Sequence, residues 1–202
     1  MVLAGGRSSR FGERDKLAEP YLGEPLLHRP VRALDELCEE IIVVIAPEAA
    51  EPVLPEVTAD VRVIRDTRAD QGPLVGLTSA LGVVWTELAL TVGGDMPELS
   101  VDVLRGMVRA ASARADLSAV VLADGDGWRP LPLIVRPDVR REAQVLLRHP
   151  GAGLRDLVRA VPFEVVPEDA WRRFDPSGKT LSDIDTPWDL PGGGGPGTTT
   201  PD

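Results

Sequence analysis

Leu3-Ala4-Gly5-Gly6-Arg7-Ser8-Ser9-Arg10-Phe11-Gly12, continued through Arg14, Asp15 and Lys16, is the stretch on which the reading of this chain turns. Val2, Leu3 and Ala4 are apolar enough to end a buried strand. Gly5 and Gly6 stop it at once and leave backbone N–H groups that an anion can approach with no Cβ in the way. Arg7, Arg10, Arg14 and Lys16 then crowd the turn, and their summed field suits a triphosphate better than a single carboxylate. Lys16 stands out because the only other lysine is Lys179, so a lysine beside the glycines points to a compact point charge. A Gly-Gly pair alone reads as a surface turn; the cations make it a nucleotide-phosphate loop.

Spacing excludes two other phosphate loops. Gly178-Lys179-Thr180 has Arg173 where a Walker loop needs its first glycine, and the N-terminal loop has neither G-K-[ST] nor G-x-G-x-x-G. The 202 residues, 43% of them hydrophobic, are enough for one domain with a sizeable core. We expect that domain to span 1–190. The segment 191–202, Pro-Gly-Gly-Gly-Gly-Pro-Gly-Thr-Thr-Thr-Pro-Asp, is too poor in apolar groups to pack and is expected to be disordered. A formal net charge of −10 argues against nucleic acid as a partner. Cys38 is the sole cysteine, which excludes an intrachain disulfide and a cysteine metal site and fits a reducing cytoplasm. No apolar run approaches the ~20 residues of a membrane span, and no signal peptide is evident.

Apolar periodicity predicts alternating helices and strands. A helix is expected over about 24–38, with Cys38 inside it, and strands at 41–46 and 61–64 flank a proline-rich stretch with room for one helical turn. Further strands are expected at 88–92, 117–123 and 131–135, with helices starting near Ser100, Val139 and Leu154. Asp124-Gly125-Asp126-Gly127 reads as a tight turn, since a calcium loop of the EF-hand type would need a later Glu and flanking helices.

Two more stretches carry chemistry. In Arg65-Asp66-Thr67-Arg68-Ala69-Asp70-Gln71-Gly72-Pro73-Leu74-Val75-Gly76, Asp66 closes a strand and Gly72-Pro73 turns into a helix. Leu74, Leu77, Thr78, Leu81 and Trp85 are expected on one face of that helix. Gly76 inside it is unfavourable by ~1 kcal/mol relative to Ala, which points to close approach by a ligand or a second backbone. In Gly93-Gly94-Asp95-Met96-Pro97, a carboxylate follows an apolar run, where open α/β sheets bind ligands. Asp95 facing a cationic phosphate loop is the candidate ligand for Mg²⁺.

Together these strings resemble the nucleotidyltransferase family that contains molybdenum cofactor guanylyltransferase, also called molybdopterin-guanine dinucleotide biosynthesis protein A. Arg129-Pro130-Leu131-Pro132-Leu133 is similar to that family's R-x-x-P-L, and Asp183-Ile184-Asp185-Thr186-Pro187-Trp188-Asp189-Leu190 to its N-x-N-T-P-E-D-L. The resemblance implies a three-layer, Rossmann-like α/β fold, with a mostly parallel sheet and helices on both faces. It implies transfer of GMP from GTP to the phosphate of molybdopterin, with release of pyrophosphate. Residue by residue, Leu3, Ala4, Gly5 and Gly6 would line the base and phosphates, and Arg10 and Lys16 would contact the triphosphate. Asp66 would contact the nucleoside, Gly72, Pro73, Leu74 and Gly76 would border it, and Asp95 would hold Mg²⁺. Arg10, Lys16 and Asp95 would carry catalysis. Implied partners are GTP, molybdopterin, and molybdoenzyme chaperones or other cofactor-biosynthesis proteins.

The chain departs from the family at three places. Ile45-Ala46-Pro47 lacks an Asn that contacts the nucleotide, both Asn of N-x-N are Asp, and the first strand starts only at Met1. A central strand of ~5–6 residues is the norm, so a late start or a truncation is one account of the last. Asp185 would add charge to the metal. A terminal phosphate monoester, with a second pKa near ~6, needs no general base, which leaves His28 and His149 to structural roles. Other readings are a cytidylyltransferase of the same cofactor, a nucleotidyltransferase for another small phosphate, or a nucleotide-binding regulatory or chaperone-like protein without turnover.

Overall fold

The structure is a computed structural model that describes residues 1–5, 11–12, 14–67 and 72–192. Its elements in chain order are β1 (Val2–Leu3), β2 (Pro20–Tyr21), β3 (Glu24–Pro25), α1 (His28–Asp35), β4 (Glu40–Ile45), β5 (Asp60–Arg65), α2 (Pro73–Ala80) and β6 (Ala89–Gly93). These are followed by α3 (Val101–Ala113), β7 (Ala119–Asp124), β8 (Gly127–Val135), α4 (Arg140–Leu146), α5 (Leu154–Ala160), β9 (Phe163–Val166) and α6 (Glu168–Trp171). Seven strands form one sheet in the order β5-β4-β1-β6-β8-β7-β9. Only the pairings made by β8 are antiparallel.

Side-chain alternation along the strands sorts the core into two layers. Val2, Ile41, Val43, Ile45 and Val92 pack with Val31 and Leu34 of α1 and with Val103, Leu104 and Met107 of α3. Leu3, Ile42 and Val44 pack on the other face with Leu74 and Leu77 of α2 and with Leu154 and Leu157 of α5. Each such side chain, fully buried, stabilises the fold by roughly 1.5–3 kcal/mol. The runs were apolar without interruption because both faces of these strands are covered.

The order of strands positions the site. From β1 the chain moves outward to β4 and β5, then returns through α2 to β6 on the other side of β1. The end of β6 thus lies beside the end of β1, and a crevice opens at the carboxyl ends of these central strands.

Several expected boundaries shift. Residues 24–25 belong to a hairpin rather than to the first helix: Leu22 (φ 52°) and Gly23 (φ 93°) make its turn, and Pro20 pairs with Pro25. Positive φ at both central residues matches the right-handed twist of two short strands. Tyr21 and Leu26 anchor the hairpin in a small cluster with Phe11 and Ile184. Cys38 lies beyond α1, half-buried, in a turn where its N–H donates to the Leu34 carbonyl at 2.9 Å. The helix after Gly72 ends at Ala80, so Trp85 is 87% exposed instead of sharing the buried face. Gly82, Val83 and Val84 are poor helix formers, and the chain needs this stretch to turn back toward β6. Residues 47–59 hold no helix; Arg65 Nη1 donates to the carbonyls of Pro47 at 2.9 Å and Ala49 at 2.8 Å. The sequence pattern announces neither β9 nor α6, which are short and only partly buried. No helix among the described residues is long and apolar enough to cross a membrane. The expectation for the tail falls on 193–202, outside the described residues.

Candidate functional site

The crevice holds a cavity of about 410 Å³. Leu3 and Gly5 at the end of β1, Gly93 and Asp95 at the end of β6, and Pro73 at the start of α2 line it. Arg129, Arg155 and Asp183 also line it.

Lys16 is aimed into this region by its neighbours. Asp15 Oδ1 accepts from the Leu17 N–H at 3.0 Å and starts a single 3₁₀ turn over Lys16–Ala18. Leu17 lies against Gly94, where a Cβ would come within 3.1 Å of its Cδ1. With Leu17 seated, the Lys16 side chain is only 13% exposed, and its Nζ lies 2.8 Å from Asp95 Oδ2 and 3.9 Å from Asp185 Oδ1. One ammonium thus faces two carboxylates from distant parts of the chain.

Asp95 is held through its backbone. The Gly94 N–H donates to the Leu3 carbonyl at 2.9 Å, and the Ile184 N–H donates to the Asp95 carbonyl at 2.9 Å. Gly93 leaves room for the Asp95 carboxylate, since an added Cβ would sit 2.4 Å from Asp95 Oδ1 and force it to move. Arg129 ties down the C-terminal segment, donating from Nη2 to the Leu181 carbonyl at 3.2 Å and pairing with Asp183 Oδ1 at 3.6 Å. Burial, and then the Asp185 and Asp95 carboxylates, push the Asp183 carboxyl above the usual carboxylate range, with Arg129 partly opposing them. The loop leading to this segment turns on Asp175. Burial works against its charge, but donors from the Thr180 N–H at 2.7 Å, the Ser177 hydroxyl at 2.7 Å and the Gly178 N–H at 3.1 Å hold its pKa down.

Asp66 stands just past β5. Its N–H donates to the Ile45 carbonyl at 2.8 Å, and its Oδ1 accepts from the Thr67 N–H at 2.6 Å and the Ser79 hydroxyl at 3.0 Å. Gly72 (φ 79°) makes the turn that lets Pro73 open α2. Leu74 and Gly76 are buried in the core. A Cβ at Gly76 would meet Leu3 Cδ2 at 3.4 Å and Val44 Cγ1 at 3.5 Å, ordinary contact distances, so α2 packs closely on the sheet here without requiring a glycine. Ala4 continues the ladder through its N–H to the Val44 carbonyl at 2.8 Å. Gly6 and Arg10 lie outside the described residues. His28 is buried, with Nε2 3.1 Å from the Val53 carbonyl; His149 is exposed in a turn after α4.

Three cleft residues had no assigned role. Arg129 and Asp183 sat in strings already singled out, and their pairing with each other was the signal to look for. Arg155 has no sequence signal; its guanidinium lies over the Trp128 ring at 4.9 Å, a contact between α5 and β8 that only the fold creates.

A mostly parallel sheet with a crevice where its strand order reverses, and Lys16 set among acidic side chains beside it, has the architecture of the Rossmann-like α/β class. The chain belongs to the MobA-like NTP transferase domain family, whose pattern matches residues 1–165, and is thus a nucleotidyltransferase. A molybdenum cofactor guanylyltransferase of Pseudomonas putida is 32% identical over 167 residues, covering 82% of this chain and 83% of that protein. A probable molybdenum cofactor guanylyltransferase of Chloroflexus aggregans is 28% identical over 193 residues, covering 94% and 90%. In fold, the chain is similar to the crystal structure of molybdopterin-guanine dinucleotide biosynthesis protein A from Archaeoglobus fulgidus. That match has a TM-score of 0.70 at 19% identity and covers 92% of this chain and 91% of that one.

Proposed function

We propose that this protein transfers GMP from GTP to the phosphate of molybdopterin, forming the guanine dinucleotide and releasing pyrophosphate. The meeting of Lys16 with Asp95 and Asp185 at the mouth of the cleft carries the reading, and the named relatives supply the substrates by likeness. A phosphate oxygen of the acceptor forms the new bond to the α-phosphorus as the bond to the β-phosphate bridge breaks. No proton has to be removed from a phosphate that is already dianionic, so the cleft needs cations rather than a base. Lys16, with Arg10 from the loop, would neutralise charge growing on the equatorial and leaving oxygens. Gly5 and Gly6 would offer backbone N–H groups, and Asp66 would contact the nucleoside.

The donor set fits a hard divalent cation. Among the described residues Lys16 lies 2.8 Å from Asp95 and 3.9 Å from Asp185, while Arg129 pairs with Asp183. Burial, then the Asp185 and Asp95 carboxylates, raise the Asp183 pKa, so three carboxylates gather where a cation would relieve their repulsion. Among the described residues no three acidic, histidine or cysteine side chains surround one point. This suits Mg²⁺, which typically takes one or two carboxylates and completes its shell with water and phosphate oxygens. Asp95 would hold it, with Asp185 beside it, and the bound ion would neutralise triphosphate oxygens. The lone Cys38 suits a reducing compartment, and we infer the cytoplasm, with the product passed to molybdoenzyme chaperones or other cofactor-biosynthesis proteins.

The test is a panel of GTP, CTP, ATP and UTP with Mg²⁺, with and without molybdopterin, read by pyrophosphate release. Release that needs both GTP and molybdopterin is the expected result. Nucleotide binding with no release for any pair would make the protein a non-catalytic binder.

A further inference from the structure

The Lys16 ammonium lies 2.8 Å from Oδ2 of Asp95, the carboxylate that the proposed function gives to the metal, and 3.9 Å from Asp185 Oδ1. Its side chain is almost withdrawn from solvent, so the charge depends on its partners, while a triphosphate would offer it others of higher charge. Two cations cannot share Asp95 without repulsion. We propose that Lys16 is a placeholder cation: it occupies the Asp95–Asp185 carboxylates until a nucleotide triphosphate draws it away, so that the divalent ion enters with the nucleotide and not before it. This rests on the reading of Asp95 as the metal ligand, and it adds an order of events that the reading does not contain.

The consequence is a binding linkage. Free metal must compete with Lys16, whereas a triphosphate that engages Lys16 bares the carboxylates and brings oxygen ligands of its own. Metal and nucleotide then strengthen each other's binding by one common factor. Lysine suits this role because a flexible four-carbon stem carries its compact charge between two nearby anions. The 3₁₀ turn capped by Asp15 holds the backbone while the side chain changes partner.

The experiment is a Mn²⁺ titration of the full, nucleotide-free chain, followed by electron paramagnetic resonance of the free ion, with thermal melts to confirm folding. Lys16→Met and Lys16→Gln should each bind Mn²⁺ on the order of 10-fold more tightly than the wild type, because an adjacent competing charge is gone. Lys16→Arg, which keeps the charge, should stay close to the wild type. Adding Asp95→Asn to Lys16→Met should abolish the gain. Unchanged or weaker Mn²⁺ binding by both neutral variants overturns the proposal. So does a gain in Lys16→Arg equal to that in Lys16→Met, or a gain that survives Asp95→Asn. No acceptor or base is involved, so these outcomes are independent of the pyrophosphate assay.

Discussion

The Ile184 N–H donates to the Asp95 carbonyl at 2.9 Å, joining the C-terminal segment to the loop after β6. The same segment carries Asp183, which lines the cleft and pairs with Arg129, and Asp185, which lies 3.9 Å from the Lys16 ammonium. The C-terminal motif is thereby part of the site, and a change there should be felt at Asp95.

Charge is the first thing to vary. Asp95→Asn should lower turnover by on the order of 10²-fold or more, since an amide lacks the formal charge that attracts a hard cation. Lys16→Ala should cost on the order of 10²-fold as well, the scale for loss of one preorganised electrostatic donor. Asp185→Asn, which installs the residue of the N-x-N-T-P motif, should be milder. Initial rates of pyrophosphate release, with circular dichroism to verify folding, check all three; equal and total loss in both aspartate variants would rank Asp185 with Asp95.

Gly93→Ala tests position without altering charge. The new methyl would lie 2.4 Å from Asp95 Oδ1, so the carboxylate has to leave its present position, in which Oδ2 lies 2.8 Å from Lys16 Nζ. Activity should fall by at least about 10-fold, within the range that a ~1 Å misplacement produces, while the melting temperature changes far less. A fully active Gly93→Ala enzyme would show that the Asp95 carboxylate need not hold this place.

Asp183 gives a signed pH effect. Its folded-state pKa is raised by burial and by Asp185 and Asp95, so in the window just above the ordinary carboxylate range the folded protein binds more protons than the unfolded chain. Stability therefore falls as pH rises through that window, and the cost is fully present at pH 7. Asp183→Asn should raise the melting temperature slightly at pH 7 and lose that advantage at acid pH. The side chain is 45% exposed, so solvent screening keeps the gain small. Melting curves from pH 4 to about pH 8 in low-metal buffer read it.

If the proposed function holds, base selection should respond to the residue after β4. Gly5 brings the phosphate loop close to that position, its would-be Cβ lying 3.3 Å from Ala46 N. Ala46 offers no side-chain hydrogen bond where the family motif carries Asn. GTP should be preferred to CTP and ATP, but with looser selectivity, and Ala46→Asn should improve kcat/KM for GTP by roughly 3- to 10-fold, the worth of one hydrogen bond. Equal or better rates with CTP would move the protein to the cytidylyl branch.

Short-range features were legible in the chain itself. Uninterrupted apolar runs such as Ile41–Ile45 implied strands buried on both faces, because covered strands need no polar alternation. Ser100 was a visible cap for α3, Asp66 a visible strand end, and the three motif strings named Lys16 and Asp95. Local pattern failed where a distant element set the outcome. Nothing between Pro20 and Pro25 shows that Phe11 and Ile184 will anchor a hairpin there, and nothing after Ala80 shows that Trp85 will be left in solvent.

The same division runs through the site. The sequence by itself determined the residue types: glycines that leave backbone open to approach, cations near them, and the carboxylates of Asp95 and Asp185. Their partnerships came only from tertiary structure. The strand order places the end of β6 beside the end of β1, and the Asp95 carbonyl then captures Ile184, so Lys16 meets Asp185 and Arg129 meets Asp183. Composition and periodicity report what a residue can do over a few neighbours along the chain; which charges come within 4 Å is decided by how a sheet assembled from distant segments folds back on itself.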